Sequence, residues 1–148
     1  MLKDAQILAF PGGFSYGDDT GSGKAYANRL KEHLGKHIEK FLARDTLVIG
    51  ICNGFQILTS AGILPGALIA NDSNRFLCRW VDLKVEGSSP WLTGIDTLSL
   101  PIAHGEGKYH ADAKTLAALN KSGAIALRYT EGAVAKHFAL PANPNCAL

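Results

Sequence analysis

The chain has 148 residues, enough for one domain with a substantial core. Its 15 basic and 13 acidic residues give a formal net charge of +2 and form no run of one sign, so neither nucleic acid nor an anionic membrane is expected as a partner. Three cysteines, Cys52, Cys78 and Cys146, are too few and too scattered for a disulfide framework, which favours a cytoplasmic location.

The chain opens on an apolar run, Gln6–Phe10, that ends in a proline–glycine–glycine turn and is typical of a buried parallel strand. A glycine-rich loop follows, but it departs from the Walker phosphate-binding pattern. Five residues separate Gly17 from Gly23, and Ala25 stands where a hydroxyl is required. We therefore expect no nucleotide-phosphate site in this loop.

A long amphipathic helix is predicted over Ser22–Ala43, because apolar residues recur there at spacings of three and four. His33 and His37 share one face of this helix at a spacing that metal ligands use. Without a third ligand such as the glutamate of a His-Glu-x-x-His motif, a solvated face is the preferred interpretation.

The chemically distinctive stretch joins a predicted buried strand, Thr46–Ile51, to a helix through the pattern Gly50-x-Cys52-x-Gly54. Small residues on both sides of a reactive side chain are typical of a nucleophile elbow, a sharp turn from strand to helix. The turn would expose the Cys52 sulfur, and the positive helix end would favour its thiolate. The backbone N–H of Asn53 would face a developing oxyanion. The alternative is a buried structural cysteine.

The middle of the chain contains three further predicted elements. The helix that begins at the elbow spans Asn53–Ala61 and ends at a glycine. The segment Phe76–Glu86 is predicted to be a strand. Its alternation of apolar residues changes phase, which predicts a bulge near Trp80. A short apolar run at Leu98–Ala103 predicts an edge strand or a strand end, because it contains a proline.

A second polar cluster, His104–Tyr109, contains two glycines at a strand end, as in loops that approach a ligand closely. A plain surface turn is the alternative. A zinc-deaminase reading fails, because the Pro-Cys-x-x-Cys partner of that motif is missing. Beyond the cluster, Asp112 is expected to cap a helix that runs to Lys121. The segments Ile125–Tyr129 and Ala133–Phe138 predict a hairpin.

These motifs together resemble the glutaminase subunit or domain of phosphoribosylformylglycinamidine synthase, a class I, triad-type glutamine amidotransferase of purine biosynthesis. The matching segments occur in the family's order along nearly the whole chain. They are Pro11–Asp18, Gly50–Leu58, Gly62–Gly66, Asn71–Phe76, Pro101–Gly107 and Asn143–Asn145.

The resemblance implies a role for particular residues. Cys52 would attack the side-chain amide of glutamine, release ammonia and form a thioester that water hydrolyses. The oxyanion hole would consist of the backbone N–H groups of Gly13 and Asn53. Residues implied to bind glutamine are Gln56, His104, Gly105 and Glu106.

The resemblance also implies a partner. Ammonia would pass to a formylglycinamidine synthetase subunit or domain, which would bind ATP and magnesium. No metal or other cofactor is expected in this chain.

The order of strands and helices, with the resemblance, predicts an α/β fold of the flavodoxin-like kind. We expect an open, mainly parallel, doubly wound sheet with the elbow at the carboxyl end of a strand. Residues 1–148 are expected to form one amidotransferase domain that is incomplete at both termini. The family's opening βα unit and its later His-Pro-Glu motif are not in these residues. A docking module without catalytic activity and a different cysteine hydrolase on the same scaffold remain alternatives.

Overall fold

The computed structural model describes residues 2–15, 21 and 23–145. These residues belong to two compact units, unit 1 (Met1–Ala67) and unit 2 (Leu68–Leu148). The elements in chain order are β1 (Ile7–Phe10), α1 (Lys24–Leu42), β2 (Leu47–Gly50), α2 (Asn53–Ser60), β3 (Ala67–Ile69), β4 (Leu77–Val85), a 3-10 turn (Pro90–Leu92), β5 (Thr97–His104), β6 (Lys108–His110), α3 (Ala113–Lys121), β7 (Leu127–Tyr129) and α4 (Ala133–Phe138). Over the described ranges, no helix is both long and apolar enough to cross a membrane.

Unit 1 is a β1–α1–β2–α2 unit whose two strands pair in parallel, from Ile7 opposite Leu47 to Phe10 opposite Gly50. A parallel pair needs a long crossover between its strands, and α1 supplies it. The predicted helices agree with α1 and α2 to within two residues at each end. The local pattern of apolar residues therefore located all four elements.

The apolar stripes of α1 and α2 pack into one core cluster with the end of β1. Burial of these side chains away from water is the main term that stabilises the unit. The cluster consists of Phe10, Ala27, Leu30, Ile38, Ile57 and Leu58.

Arg44, just after α1, forms hydrogen bonds with the start of the chain. Its guanidinium donates hydrogen bonds to the carbonyl oxygens of Lys3 and Ala5, at 2.7 and 2.6 Å. The same guanidinium lies 5.2 Å from the centre of the Phe41 ring, a cation–π distance. These contacts set where the chain enters β1.

The largest sheet of unit 2 is antiparallel, with β4 between β5 and β7. The bulge expected near Trp80 is wrong, because the β4–β5 register is unbroken from Leu77 opposite His104 to Lys84 opposite Thr97. The apolar pattern changes phase because the two faces of β4 are used differently. Val81 is 3% exposed, whereas Trp80 on the opposite face is 53% exposed.

The hairpin expected near the C-terminus is also wrong, because Ala133–Phe138 forms helix α4. A long-range contact stabilises the start of this helix. The buried carboxylate of Asp82 accepts hydrogen bonds from the backbone N–H of Ala135, at 3.0 Å, and from the Ser99 hydroxyl, at 2.7 Å. Gly132 makes the approach possible, since a Cβ there would lie 2.4 Å from the Asp82 carboxyl carbon.

The predicted α/β class is confirmed. The finer expectation of one open, mainly parallel, doubly wound sheet stays a prediction, and the described strands pair in three groups. They form a parallel β1–β2 pair, a β3–β6 pair and the antiparallel β5–β4–β7 sheet. The connection between β4 and β5 has only a single 3-10 turn and is too short for a helical crossover, so these two strands pair antiparallel. The assignment of residues 1–148 to one domain stays a prediction.

We expect Asp82→Asn to lower the melting temperature by several degrees at neutral pH. The hydrogen bond from Ala135 is the largest cause that holds the pKa of Asp82 below its usual value, and the hydrogen bond from Ser99 is the second largest. The carboxylate therefore contributes stability above about pH 4, and this contribution is lost as the pH falls through the lowered pKa. Thermal melts over a pH series test this.

The matched control is Asp96→Asn, since Asp96 is an exposed aspartate of the same unit. Equal losses in the two variants would contradict the role of Asp82. The role of Asp82 would also be contradicted if the melting temperature lost in Asp82→Asn stayed the same as the pH falls below about 4.

Candidate active site

Cys52 occupies a strained turn between β2 and α2. Its backbone angles are φ 54° and ψ −112°, and a positive φ is unusual for a residue with a side chain. Such a conformation costs on the order of 1–3 kcal/mol and persists only where neighbouring structure enforces it. The side chain is exposed, which is the placement expected of a nucleophile.

Two glycines enforce this turn by allowing close approach of the backbone. A Cβ on Gly54 would lie 1.9 Å from the Phe10 carbonyl oxygen, and one on Gly50 would lie 2.5 Å from Cδ1 of Leu58. Real Cβ contacts are never this short. The first turn of α2 therefore presses directly against the end of β1.

The loop after β1 approaches Cys52 from the other side. A Cβ on Gly12 would lie 3.3 Å from the Cys52 Cβ, and Gly13 follows with a φ of 143° that favours glycine. Gly13 is next in sequence to Gly12, which lies against Cys52. Asn53 is next in sequence to Cys52 itself. Both predicted oxyanion donors therefore adjoin the Cys52 turn. Residues 16–20 and 22, which include Gly17 of the glycine-rich loop, lie outside the described residues.

The side chains of Asn53 and Gln56 interact one helical turn beyond the cysteine. Asn53 is 3% exposed, and its Nδ2 donates a 3.0 Å hydrogen bond to Oε1 of Gln56. The Oδ1 atom of Asn53 is buried and accepts no hydrogen bond from the part of the chain that the structure describes. Sequence reasoning assigned a role only to the Asn53 backbone, so this side-chain pair was missed.

The polar cluster of unit 2 is the turn between β5, which ends at His104, and β6, which begins at Lys108. Burial lowers the pKa of His104, so its ring is neutral near pH 7. Buried Asn71 contacts both ends of this turn. Asn71 lies in a matched motif but had been given no role.

The predicted site residues divide between the two units. Gly13, Cys52, Asn53 and Gln56 belong to unit 1. His104, Gly105 and Glu106 belong to unit 2. Within residues 2–15, 21 and 23–145, no group of three His, Cys, Asp or Glu side chains could hold a metal ion. The position of Cys52 between a parallel strand and a helix is the one that a nucleophile elbow requires, and the catalytic role of the cysteine stays a prediction.

Comparison with known sequences gives the family. The sequence profile of the CobB/CobQ-like glutamine amidotransferase domain matches residues 1–147. The chain therefore belongs to the CobB/CobQ-like glutamine amidotransferase domain family.

Individual relatives carry more specific names. Phosphoribosylformylglycinamidine synthase subunit PurQ of Methanococcus maripaludis (strain C7) is 45% identical, and the alignment covers 99% of this chain and 58% of the relative. The subunit of the same name from Dehalococcoides mccartyi is 44% identical, with 97% of this chain and 58% of the relative covered. The chain thus spans about 58% of the length of the curated relatives it matches.

A solved structure also matches the fold. The structure of PurLQS from Thermotoga maritima aligns with a TM-score of 0.64 and 40% identity, and the alignment covers 76% of this chain and 54% of that chain.

We expect Gly54→Ala to destabilise the protein by about 1–3 kcal/mol, because the added methyl would collide with the Phe10 carbonyl. Gly35→Ala is the matched control, since a Cβ at this position in α1 meets no atom within 4 Å. Alanine there should stabilise by about 0.5–1 kcal/mol through helix propensity. Urea unfolding compares the two. Equal stability of both variants would contradict the proposed crowding at the Cys52 turn.

We expect Cys52 to react faster than Cys78 with an electrophilic analogue of glutamine. Both thiols are exposed, so accessibility does not decide between them. Only Cys52 lies at a helix N-terminus. Brief labelling followed by peptide mapping measures the ratio. Even labelling of the two would show that the turn does not activate Cys52; Cys146 lies outside the described residues.

Proposed function

We propose that this chain hydrolyses glutamine and supplies the ammonia to a formylglycinamidine synthetase partner in purine biosynthesis. Membership of the amidotransferase family supports the reaction class, and the names of the relatives support the pathway. The observation that carries the proposal is the strained, exposed Cys52 between β2 and α2. We take this turn to be a nucleophile elbow.

The chemistry begins at the Cys52 sulfur. Its thiolate attacks the side-chain amide carbon of glutamine and forms a C–S bond, while the carbonyl oxygen becomes an oxyanion. The backbone N–H groups of Gly13 and Asn53 are the proposed donors to that oxygen. The C–N bond then breaks, and the nitrogen takes up a proton. Ammonia departs, and a glutamyl thioester remains on Cys52. Water adds to the thioester, the C–S bond breaks, and glutamate departs.

The neighbouring polar side chains are proposed to hold the substrate. The hydrogen bond from Asn53 orients the Gln56 side chain near the start of α2. His104, Gly105 and Glu106 remain proposed glutamine-binding residues on the strength of the family resemblance.

The partner and the cofactors follow from the same proposal. The synthetase would bind ATP and magnesium, and this chain would need no cofactor of its own. Within the fold, we take the parallel β1–β2 pair as the beginning of a doubly wound sheet.

We expect the 148-residue chain alone to form a Cys52 thioester yet to turn over glutamine slowly. A positioned general base contributes about 10²–10⁴-fold to rate, and these residues contain no His-Pro-Glu motif to supply it. Cysteine is a nucleophile even when its base is missing, so acylation should suffer less than deacylation. Adding the family's His-Pro-Glu segment, in cis or as a separate chain, should raise the rate.

Ammonia release from glutamine is the assay, with Cys52→Ala as the inactive variant and Cys78→Ala as the cysteine control. Rapid turnover that depends on Cys52 would show that a base lies within these residues, and His104 would be the first to mutate. Failure of both thioester formation and release, with the added segment present, would refute glutamine hydrolysis and favour a docking role.

A further inference from the structure

Asn71 is a buried asparagine whose side chain and backbone bind the turn between β5 and β6. It is 1% exposed. Its backbone N–H donates to the Gly105 carbonyl, at 2.9 Å. Its Nδ2 donates to the carbonyl oxygens of Arg75, at 2.9 Å, and of His104, at 2.8 Å. Its Oδ1 accepts the N–H of Gly107, at 3.3 Å.

These contacts determine which way the Asn71 amide points. In the opposite orientation, Oδ1 would face two carbonyl oxygens, and the amide N–H groups would face the N–H of Gly107. Each of those pairs is repulsive, so the orientation with Oδ1 toward Gly107 is required. Nδ1 of His104 also lies 3.0 Å from this Oδ1. An amide oxygen can only accept, and so Nδ1 must carry the proton.

Gly107 restrains the same imidazole ring by contact. A Cβ on Gly107 would lie 2.2 Å from Nδ1 of His104 and 2.3 Å from its Cε1. The ring therefore lies against the bare Cα of Gly107, while Asn71 holds its edge. A hydrogen bond and a steric contact act independently on one side chain.

We propose that Asn71 is a positioning residue that holds His104 as the Nδ1–H tautomer and so makes Nε2 a hydrogen-bond acceptor for a ligand N–H. A neutral ring has one protonated nitrogen, so protonation of Nδ1 leaves the lone pair on Nε2. Burial lowers the pKa of His104, and this favours the neutral ring. Nε2 is therefore the ring atom that can accept a hydrogen bond.

The suitable ligand group is a neutral amide. A neutral imidazole has no charge with which to compensate a buried ammonium, whereas an amide N–H needs only an acceptor. The identity of the ligand as glutamine rests on the proposed function. The tautomer does not, because it follows from the contacts of Asn71 alone.

The tautomer is tested by ¹⁵N NMR of the histidine rings in the 148-residue chain. At about pH 8.5 the His104 ring is neutral, because burial lowers its pKa, and the two tautomers give different nitrogen shifts. Of the five histidines, the one absent from the spectrum of His104→Gln is assigned to His104. We expect Nδ1 to be protonated. A protonated Nε2 would overturn the proposal.

Variants separate positioning from general stability. Asn71→Ala removes the acceptor that faces Nδ1 and should release the tautomer. Gly107→Ala should displace the ring with Asn71 intact, which keeps the test open if Asn71→Ala fails to fold. Asn28→Ala, at an exposed position of α1, is the control and should change nothing. If the His104 tautomer is unchanged in both Asn71→Ala and Gly107→Ala, Asn71 is not a positioning residue for His104.

The ligand is tested by titration of the Cys52→Ala chain, which cannot hydrolyse glutamine. We expect glutamine to shift the His104 Nε2 resonance and glutamate, which lacks the amide, to leave it in place. Asn71→Ala in this background should raise the midpoint of the glutamine titration about tenfold, as expected for one lost oriented hydrogen bond. Equal shifts from both amino acids would refute the amide assignment. No shift from either would refute glutamine as the ligand of this turn, and ammonia release from the chain with intact Cys52 then shows separately whether glutamine hydrolysis also fails.

Discussion

The site in unit 1 depends on one steric constraint, the contact between the Phe10 carbonyl and the Cα of Gly54. With no side chain on Gly54, α2 can start directly against the end of β1, and the chain has only Ile51 and Cys52 in which to complete the turn from β2. The positive φ of Cys52 is the consequence. Strain at Cys52 is thus maintained by packing of the apolar cluster on α1 and α2, which opposes relaxation of the turn.

Unit 2 is organised differently, around buried polar side chains that bind backbone. Asp82 joins β4, β5 and the start of α4, and Asn71 joins the two ends of the turn that holds His104. Each satisfies several donors or acceptors that would otherwise be buried unpaired. Each also requires a nearby glycine, Gly132 or Gly107, whose missing Cβ leaves room for the partner. Hydrogen bonding therefore acts in this unit together with the burial of apolar side chains such as Val81 and Leu83.

This difference explains what could be predicted from sequence. In α1 and at the Gly50–Gly54 turn, neighbours along the chain carry the signal, and both predictions located their elements. The Asp112 cap is equally local, and its carboxylate accepts the Thr115 N–H at 2.7 Å. Helix α4 depends on Asp82, more than 50 residues away, and the role of Asn71 depends on His104, 33 residues away. Periodicity carries no information about such partners.

The exposure of Trp80 has a practical consequence for spectroscopy. The chain has two tryptophans, Trp80 and Trp91, and they are 53% and 37% exposed. Both lie in unit 2, and both already contact solvent in the folded state. Their emission should change little when the core of unit 1 melts, but strongly when another surface covers β4. Intrinsic fluorescence of this protein is therefore an indicator of association at that strand, and a poor indicator of the unfolding of unit 1.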